Sequence, residues 1–301
     1  MEFGSVPPEE LERVDFLLPQ DPGFNKSVLS QARPAESGAR IYLGCAKWGR
    51  KEWIGKVYPQ GTKESNFLEH YVGHYNAIEL NATHYKIYSP SEIRRWAEKA
   101  AGRDFLFCPK VPQVISHYSS LTGVDDLTTA FLEGVLAFEN HLGPIFLQVS
   151  EHFGPDRKAQ LFNYLSSLPR DLSFFLEVRH PGWFSDRDLF GTLRALGIGS
   201  VITDTAGHRH CAHMYLTTPK TVIRYVGNSL HHSDYTRIDR WVERLKYWMD
   251  SGIEEIYFFM HMHNEATSPE LTVYLVDKLN AACGLDLLKP RFIGPGQGSL
   301  F

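Results

Sequence analysis

An acid and a base stand two residues apart at the end of one strongly apolar segment of the chain. The segment Phe174–Val178 is rich in aromatic and branched residues and lies too close to Pro181 to form a helix, so it predicts a buried strand. Alternate side chains of a strand face the same side, which places Glu177 and Arg179 on one face. A strand that is apolar at its start and ionic at its end is typical of a parallel α/β sheet, whose functional sites lie at the carboxyl ends of the strands.

Ionisable or amide side chains also end most of the other apolar segments. The candidates are the carboxylates Glu79, Glu177 and Asp204, the cations Lys110, Arg179 and Arg224, the imidazoles His180, His261 and His263, and the amides Asn81 and Gln148. Asp204 is in register with Ile202 and is expected at the same mouth as Glu177. A charge is costly to bury unless it is paired, so these groups form either a paired network or a functional site.

An anion site is the first chemistry that fits these residue types. The three cations would clamp a phosphate or carboxylate group, with Asn81 and Gln148 as further contacts to the substrate. The predicted catalytic residues are Glu177, Asp204 and His180, with the two carboxylates as candidate general bases. The predicted ligand is an anionic small molecule or nucleic acid.

A divalent metal that activates water is the second chemistry. Its predicted ligands are Glu79, Glu177, Asp204 and His261. The chain contains no H-E-x-x-H motif, P-loop, nucleophile elbow or C-x-x-C pair. A self-satisfied ion network without chemistry is a third interpretation, and spacing does not choose among the three because residues on different strands leave no sequence motif.

Aromatic side chains lie on the loops that follow the first, second and fifth predicted strands. Trp48, Tyr85 and Trp183 could stack on a sugar or a base. Packing of long loops against the sheet explains the same residues equally well.

Eight strand-like segments alternate with helical ones and would position these groups. The predicted strands are residues 41–46, 77–81, 104–108, 144–149, 173–178, 200–204, 221–226 and 255–260. The predicted helices are residues 65–75, 89–100, 127–141, 155–168, 185–196, 235–251 and 268–283. This count over about 245 residues predicts an α/β fold with a single (β/α)8 TIM-barrel-like domain. A doubly wound open sheet is the alternative, but it would more often carry a glycine-rich phosphate loop after its first strand.

The barrel is predicted over residues 39–284, between an N-terminal arm and a flexible C-terminal tail. The arm, residues 1–38, is polar and rich in proline and glycine, with one helix predicted at Pro8–Leu18. The tail covers residues 285–301 and contains Gly294-Pro295-Gly296, which cannot continue a helix. The first five residues read MEFGS, as a cloning remnant would, and contribute nothing to the fold prediction.

Composition excludes several classes of protein. The chain of 301 residues has a formal net charge of -4, so it is not a general polycation for DNA or anionic membranes. No apolar run approaches the roughly 18 residues of a membrane span, and the N-terminus lacks a signal-peptide core. Its 4 cysteines are widely spaced, which indicates reduced thiols and a cytoplasmic location.

A series of motifs in a fixed order resembles the YecE-like proteins, a bacterial and archaeal family of unknown function. The motifs are Gly44-Cys45-Ala46-Lys47-Trp48, Trp53-Ile54-Gly55, Tyr58-Pro59, Glu79-Leu80-Asn81-Ala82-Thr83-His84-Tyr85, Trp96, Phe105-Leu106-Phe107-Cys108-Pro109-Lys110, Ile115-Ser116-His117, Leu142-Gly143-Pro144, Glu177-Val178-Arg179-His180-Pro181-Gly182-Trp183-Phe184 and Asp204-Thr205. The resemblance covers residues 39–284. The chain departs from the family pattern at Cys45-Ala46-Lys47, where Thr-Ser-Gly is usual, and at His84, where Phe is usual.

The resemblance implies a TIM-barrel-like fold related to metal-dependent endonucleases and sugar isomerases, and it implies no particular activity. The leading hypothesis is a hydrolase-type enzyme, with a divalent metal as candidate cofactor, acting on a phosphate-bearing substrate such as nucleic acid. One alternative is a non-catalytic module that binds a phosphorylated or nucleic-acid partner. The other is a sugar-directed isomerase or lyase.

The chain ends on two large apolar residues behind a glycine- and proline-rich spacer. Gln297-Gly298-Ser299-Leu300-Phe301 resembles the short peptide by which bacterial replication and repair proteins dock on the sliding clamp. Gln297 would set the register through hydrogen bonds, and Leu300 and Phe301 would fill a partner's pocket. Packing of these residues onto the barrel is the alternative.

A peptide of residues 290–301 is expected to bind the bacterial sliding clamp at micromolar affinity, as measured by fluorescence anisotropy. The peptide with both Leu300→Ala and Phe301→Ala is expected to lose that affinity, because the two apolar anchors supply most of the buried surface. Undiminished binding of the doubly substituted peptide, or no binding by the intact protein, would reject the interaction.

Overall fold

The computed structural model of the chain describes residues 3–34 and 38–294. Its strands are β1 (Arg40–Cys45), β2 (Ala77–Leu80), β3 (Leu106–Pro109), β4 (Ile145–Gln148), β5 (Phe174–Glu177), β6 (Gly199–Asp204), β7 (Lys220–Gly227) and β8 (Glu255–Met262). Its α-helices are α1 (Phe24–Leu29), α2 (Phe67–Tyr71), α3 (Ala82–Tyr85), α4 (Pro90–Lys99), α5 (Asp125–Leu136), α6 (Lys158–Ser167), α7 (Leu189–Leu196), α8 (His232–Asp250) and α9 (Ser268–Cys283).

All the strand pairs are parallel, and they fall into two groups. Six strands form one curled sheet in the order β1-β8-β7-β6-β5-β4, and β2 pairs with β3. The predicted α/β class and the alternation of strands with helices are therefore confirmed. Continuous ladders do not run from one group to the other in the described residues, so the closed eight-stranded barrel stays a prediction.

Side chains bridge the space between β1 and β2. The amide of Asn76 accepts from the backbone N–H of Leu43 at 2.6 Å and donates to the carbonyl of Ile41 at 2.9 Å. The Tyr71 hydroxyl accepts from the N–H of Cys45 at 2.7 Å and donates to the carbonyl of Ala77 at 3.0 Å. Buried backbone groups need such partners, so these two residues replace the missing ladder.

The approach of β2 to β1 also requires a glycine. A side chain at Gly44 would place its Cβ 2.1 Å from the carbonyl oxygen of Ala77, closer than real contacts allow. On the other side of this pair, the N–H of Gly143 donates to the carbonyl of Phe107 at 2.8 Å, and that of Val111 to Phe146 at 2.9 Å. These isolated bonds connect β3 with the region of β4.

Two apolar cores lie on opposite faces of the strands. The inner core is lined by side chains from all eight strands, namely Tyr42, Ala77, Cys108, Phe146, Phe175, Val201, Val222, Tyr257 and Phe259. The larger outer core fills the layer between the strands and the surrounding helices. The inner residues define which alternating side chains of each strand point to the interior, and hence which polar residues end there.

The N-terminal arm differs from its prediction. The helix predicted at Pro8–Leu18 is a 3-10 helix that ends at Arg13, and the chain is extended at Val14. Pro19 disfavours helical backbone in the residue before it, which limits any longer helix. The sequence reasoning also missed α1, and the arm docks on the domain through Leu11 and Phe16.

The chain stays against the domain beyond the predicted boundary at residue 284. The N–H of Arg291 donates to His74 at 3.2 Å, and that of Ile293 donates to the carbonyl of Lys56 at 2.9 Å. Gln297, Leu300 and Phe301 lie outside the described residues. Within residues 3–34 and 38–294, no helix combines the length and the apolar character that a membrane crossing needs.

Replacing Asn76 by Ala is expected to lower the free energy of unfolding by about 1–3 kcal/mol, because two backbone groups between β1 and β2 lose their partners. Urea denaturation of the purified protein would measure the loss. Asn140→Ala, at an exposed position, is the matched control and is expected to change stability little. Equal stability of the two variants would show that the amide bridge contributes nothing.

Candidate functional site

A buried arginine joins two carboxylates from distant strands at the carboxyl end of the sheet. Arg224 of β7 donates through Nε and Nη2 to the two oxygens of Glu79 on β2, at 2.8 and 2.9 Å. Its Nη1 donates to Glu177 of β5 at 2.7 Å. All three side chains are at most 1% exposed. Glu79 and Glu177 thus converge as the sequence predicts, with a guanidinium group between them.

Further donors complete the shells of both carboxylates. Asn81 donates to one oxygen of Glu79 at 2.8 Å, and the other oxygen lies 2.8 Å from Nε2 of His261. Arg179 donates through Nε to Glu177 at 2.8 Å. We call Glu79, Asn81, Glu177, Arg179, Arg224 and His261 the strand-end cluster. Every carboxylate oxygen in it accepts at least one hydrogen bond.

The strand-end cluster keeps its carboxylates ionised. Burial alone would raise the pKa of Glu79, but the charge of Arg224 and the contact with His261 lower this pKa well below its usual range. Burial likewise opposes ionisation of Glu177, yet Arg179, Arg224 and Lys110 lower its pKa to about 2. A carboxylate of such low pKa accepts a proton poorly at neutral pH. This geometry does not support the predicted role of Glu177 as a general base.

Lys110, unlike Arg179 and Arg224, forms no ion pair with a described carboxylate. Its side chain is 7% exposed, and Nζ donates to Oε1 of Gln148 at 2.7 Å. No described carboxylate lies within ion-pair distance of this amine. Burial, followed by the nearby charge of Arg224, lowers the pKa of Lys110 to about 7. The amine therefore changes its charge close to neutral pH.

A cleft of about 440 Å³ opens above these residues. Its walls carry both predicted and unpredicted side chains, including Phe3, Ala46, Lys47, Arg50, Asn81, His84, Tyr85, Lys110, Gln148, Arg179, Arg224, His261, His263 and Glu265. The predicted substrate contacts Lys110, Arg179, Arg224, Asn81 and Gln148 are thus brought together. The ring of Phe3, one of the five residues that read as a cloning remnant, covers the guanidinium of Arg179 at 3.7 Å.

Asp204 is not part of this cleft, and its predicted position is wrong. Val201 lines the inner core, so alternation turns Thr203 inward and Asp204 outward. Asp204 accepts from Trp241 Nε1 at 2.7 Å and is ion-paired with Arg237 at 3.0 Å and with Arg209. Burial opposes its ionisation, but Arg237 and Arg209 lower its pKa to about 2. Asp204 therefore anchors α8 to the sheet.

The predicted metal ligands do not form a metal site. Asp204 points to the helices, and Arg224 occupies the space between Glu79 and Glu177 that a cation would need. Among residues 3–34 and 38–294, one group of three has suitable ligand spacing, Glu12 with His231 and His232, where the arm meets the start of α8. None of these three residues lines the cleft.

The remaining predicted residues are divided between packing and the cleft. Trp183 is fully buried and donates to the carbonyl of Phe153 at 2.6 Å, so its role is structural. His180 caps the following 3-10 helix by accepting from the N–H of Gly182 at 3.0 Å. Tyr85 is 73% exposed and lines the cleft, and Trp48 lies in an adjoining hollow.

Sequence reasoning missed His84 of α3 and two cations in the loop after β1. His84 of α3 lies in the cleft wall, and its ring is 5.0 Å from that of His117. Burial and the charge of Lys110 lower the pKa of each imidazole to about 4, which keeps both neutral at pH 7. Lys47 and Arg50 add two cations. The departures from the family pattern at Lys47 and His84 were the available signal.

Comparisons with known proteins agree on one family. The family model described as "Protein of unknown function DUF72" matches residues 42–291. The UPF0759 protein YecE of Escherichia coli O157:H7 and that of strain K12 are each 30% identical over 283 residues, covering 87% of this chain and 100% of theirs.

Solved structures show the same fold at lower identity. A DUF72 family protein of Enterococcus faecalis V583 has a TM-score of 0.62 at 17% identity, covering 84% of this chain and 100% of its own. One from Thermotoga maritima MSB8 has a TM-score of 0.60 at 22% identity, covering 81% and 99%.

Replacing Arg224 by Met is expected to lower the free energy of unfolding at pH 7 by about 3–5 kcal/mol, because two buried carboxylates lose their main partner. Both have a lowered pKa in the folded state, so their contribution is present above the unfolded pKa near 4.3 and is lost as the pH falls towards about 2. The difference between wild type and variant should therefore shrink over that window.

Urea denaturation at pH 7, 5 and 3 would measure this difference. Arg95→Met is the control, since it removes an exposed arginine of α4. An Arg224→Met variant as stable as wild type at pH 7 would contradict the structural role of the cluster.

Proposed function

The chain belongs to the DUF72 family, and from the geometry of its cleft we propose that it binds a phosphate-bearing small molecule there. The resemblance to the YecE-like proteins is confirmed over most of the chain. The family description states no reaction, so the proposal rests on the residues of the cleft.

Excess positive charge in the cleft is the observation that carries the proposal. Lys47, Arg50, Lys110, Arg179 and Arg224 line it, against Glu265 in the wall and Glu79 and Glu177 behind it. The two glutamates are saturated by donors. Five cations against three acids in a partly desolvated hollow attract an anion even on a chain of net negative charge.

Two of these cations keep donors for a ligand. Arg179 uses Nε on Glu177, and no described residue bonds its two Nη groups. Lys110 has three donor positions when protonated and uses one on Gln148. Together they offer several N–H groups to phosphate oxygens, with charge assistance.

Lys110 also supplies the acid–base chemistry of the proposed site. An amine whose pKa is about 7 can hold or release a proton during turnover at neutral pH. We therefore place Lys110, rather than Glu177, Asp204 or His180, at the centre of a phosphoester hydrolysis. Water would attack the phosphorus as the bond from phosphorus to the ester oxygen breaks. The protonated amine of Lys110 would give its proton to the departing alcohol oxygen, and the proton lost by the water would pass to the phosphate product or to solvent. Glu177 would hold Arg179 and Arg224 in position.

A non-catalytic phosphate-binding module is the second candidate. It is favoured by the saturation of both cluster carboxylates, Glu79 and Glu177, whose lowered pKa makes each a weak base. A cleft of about 440 Å³ suits a small ligand or the end of a nucleic-acid strand. The sliding-clamp interaction remains a separate proposal about the tail.

We also propose that the two groups of strands complete one eight-stranded barrel. Support comes from the bonds made by Asn76 and Tyr71 between β1 and β2, and from those between β3 and β4. The reach of Arg224 from β7 to Glu79 on β2 across the interior supports the same closure.

Sulfate titrations by calorimetry are expected to show binding that weakens about tenfold from pH 6 to pH 8 in the wild-type protein. Sulfate keeps its charge over this range, whereas protonating an amine one pH unit above its pKa costs about 1.4 kcal/mol. Lys110→Met should bind weakly at both values and lose the pH dependence. Arg179→Ala should weaken binding about tenfold at pH 6, since it removes charge-assisted hydrogen bonds.

Arg187→Ala, at an exposed arginine close in sequence, is the control for Arg179 and should bind sulfate as the wild type does. Sulfate binding that is absent, or is unaffected by Lys110→Met and Arg179→Ala, would reject the anion site. Release of phosphate from a bound phosphoester by wild type but not by Lys110→Met would favour the enzyme over the binding module.

A further inference from the structure

A second hollow, of about 300 Å³, adjoins the cationic cleft. Its walls are mostly apolar and come from Trp48 and Gly49 after β1, from Ile78 and Leu80 of β2, and from Tyr85 of α3. We call it the aromatic slot. Its size and lining suit a flat organic group rather than a charged one.

The aromatic slot and the cleft are continuous. Ala46, Lys47, Asn81 and Tyr85 line both of them. A single ligand can therefore place an anionic group among Lys110 and Arg179 and an apolar group in the slot.

The walls of the slot are fixed before any ligand arrives. The ring of Trp48 meets that of Trp96 edge to face at 5.5 Å, and its carbonyl accepts from the Tyr58 hydroxyl at 2.9 Å. In α3, the Thr83 hydroxyl lies 2.9 Å from the carbonyl of Leu80 and 2.8 Å from that of Lys110. The backbone that carries Tyr85 is thus tied to β2 and to the residue after β3.

Tyr85 nevertheless leaves its ring 73% exposed. A large ring held on an anchored turn beside an apolar hollow offers a surface for stacking. Polar groups occupy the boundary between slot and cleft. Asn81 commits its Nδ2 to Glu79, which leaves Oδ1 as an acceptor for a hydroxyl, and Lys47 adds a donor.

We propose that the aromatic slot binds the base of a nucleoside monophosphate whose phosphate lies in the cationic cleft. The order along the site is apolar slot, polar boundary and cation cluster, which matches base, ribose and phosphate. An aryl phosphate lacks the middle part. This inference rests on the proposed function, because the phosphate end of the ligand is the anion of that proposal.

Calorimetric titrations with inorganic phosphate, ribose 5-phosphate and AMP test the assignment on the full chain. AMP is expected to bind at least tenfold tighter than ribose 5-phosphate, because the stacked base adds affinity that the sugar phosphate lacks. Tyr85→Ala should reduce AMP affinity to that of ribose 5-phosphate.

Two further variants separate stacking from general effects. Tyr118 is equally exposed, at 73%, and does not line the slot, so Tyr118→Ala should bind AMP as the wild type does. Gly49 has open space around its Cβ position, so Gly49→Phe should fold and fill the slot. It should lose the extra affinity for AMP while keeping that for inorganic phosphate.

The source of the nucleotide is tested by a dinucleotide that carries a 5′-phosphate. If the dinucleotide binds as tightly as AMP, the site is assigned to the end of a nucleic-acid strand. If it binds tenfold more weakly, the site is assigned to a free nucleotide. Either result is consistent with a base bound in the aromatic slot. AMP binding no tighter than ribose 5-phosphate, with both sensitive to Arg179→Ala, would overturn the slot and leave the anion site standing. Failure of all three ligands to bind would reject the anion site, and the inference with it.

Discussion

The structure depends on one buried guanidinium group. Arg224 lies between Glu79 and Glu177 and is as inaccessible to water as they are. Three charges cannot be buried without each other, because removing any one leaves a neighbour unpaired in a medium where it cannot be solvated. The consequence reaches beyond stability. Arg179, Asn81 and His261 take their positions from the same two carboxylates, so the walls of the cleft are set by the ion network beneath it.

The pairing also explains why the cleft is positive. Glu79 and Glu177 direct every oxygen to a donor, so they balance charge below the surface of the cleft and present little acceptor capacity to it. Lys110 forms no ion pair with a described carboxylate, and its amine donates a hydrogen bond to the side-chain amide of Gln148. The network thus satisfies its own acids and leaves unsatisfied donors facing the open space. This imbalance is the basis on which we propose an anionic ligand.

The sequence predicted the elements well and the site in part, for a physical reason that particular residues show. Alternation along a strand is reliable, and it correctly placed Glu177 on the same face as Arg179. It gives two opposite faces without naming the inner one, and Asp204 was placed at the mouth for that reason. The inward position of Val201 settles the matter, but it follows only from packing of all the strands. Trp183 illustrates the same limitation of sequence patterns. An aromatic residue predicted on a loop has the same sequence signal whether it stacks on a ligand or packs in the core, as Trp183 does.

Three of the four positions at which this chain departs from the pattern of its family line the cleft, and the fourth, Cys45, is buried in the outer core. Ala46 and Lys47 line both the cleft and the aromatic slot, and His84 lines the cleft beside Lys110. Lys47 adds a charge where the usual residue has none. His84 introduces a ring nitrogen that bonds the carbonyl of Val111 at 2.9 Å, where phenylalanine could not. The strand-end cluster below them contains none of these departures. The strand-end cluster thus follows the family pattern, whereas residues that line the cleft above it do not. With such an arrangement a fold can keep one type of binding chemistry and change the ligand that fits it.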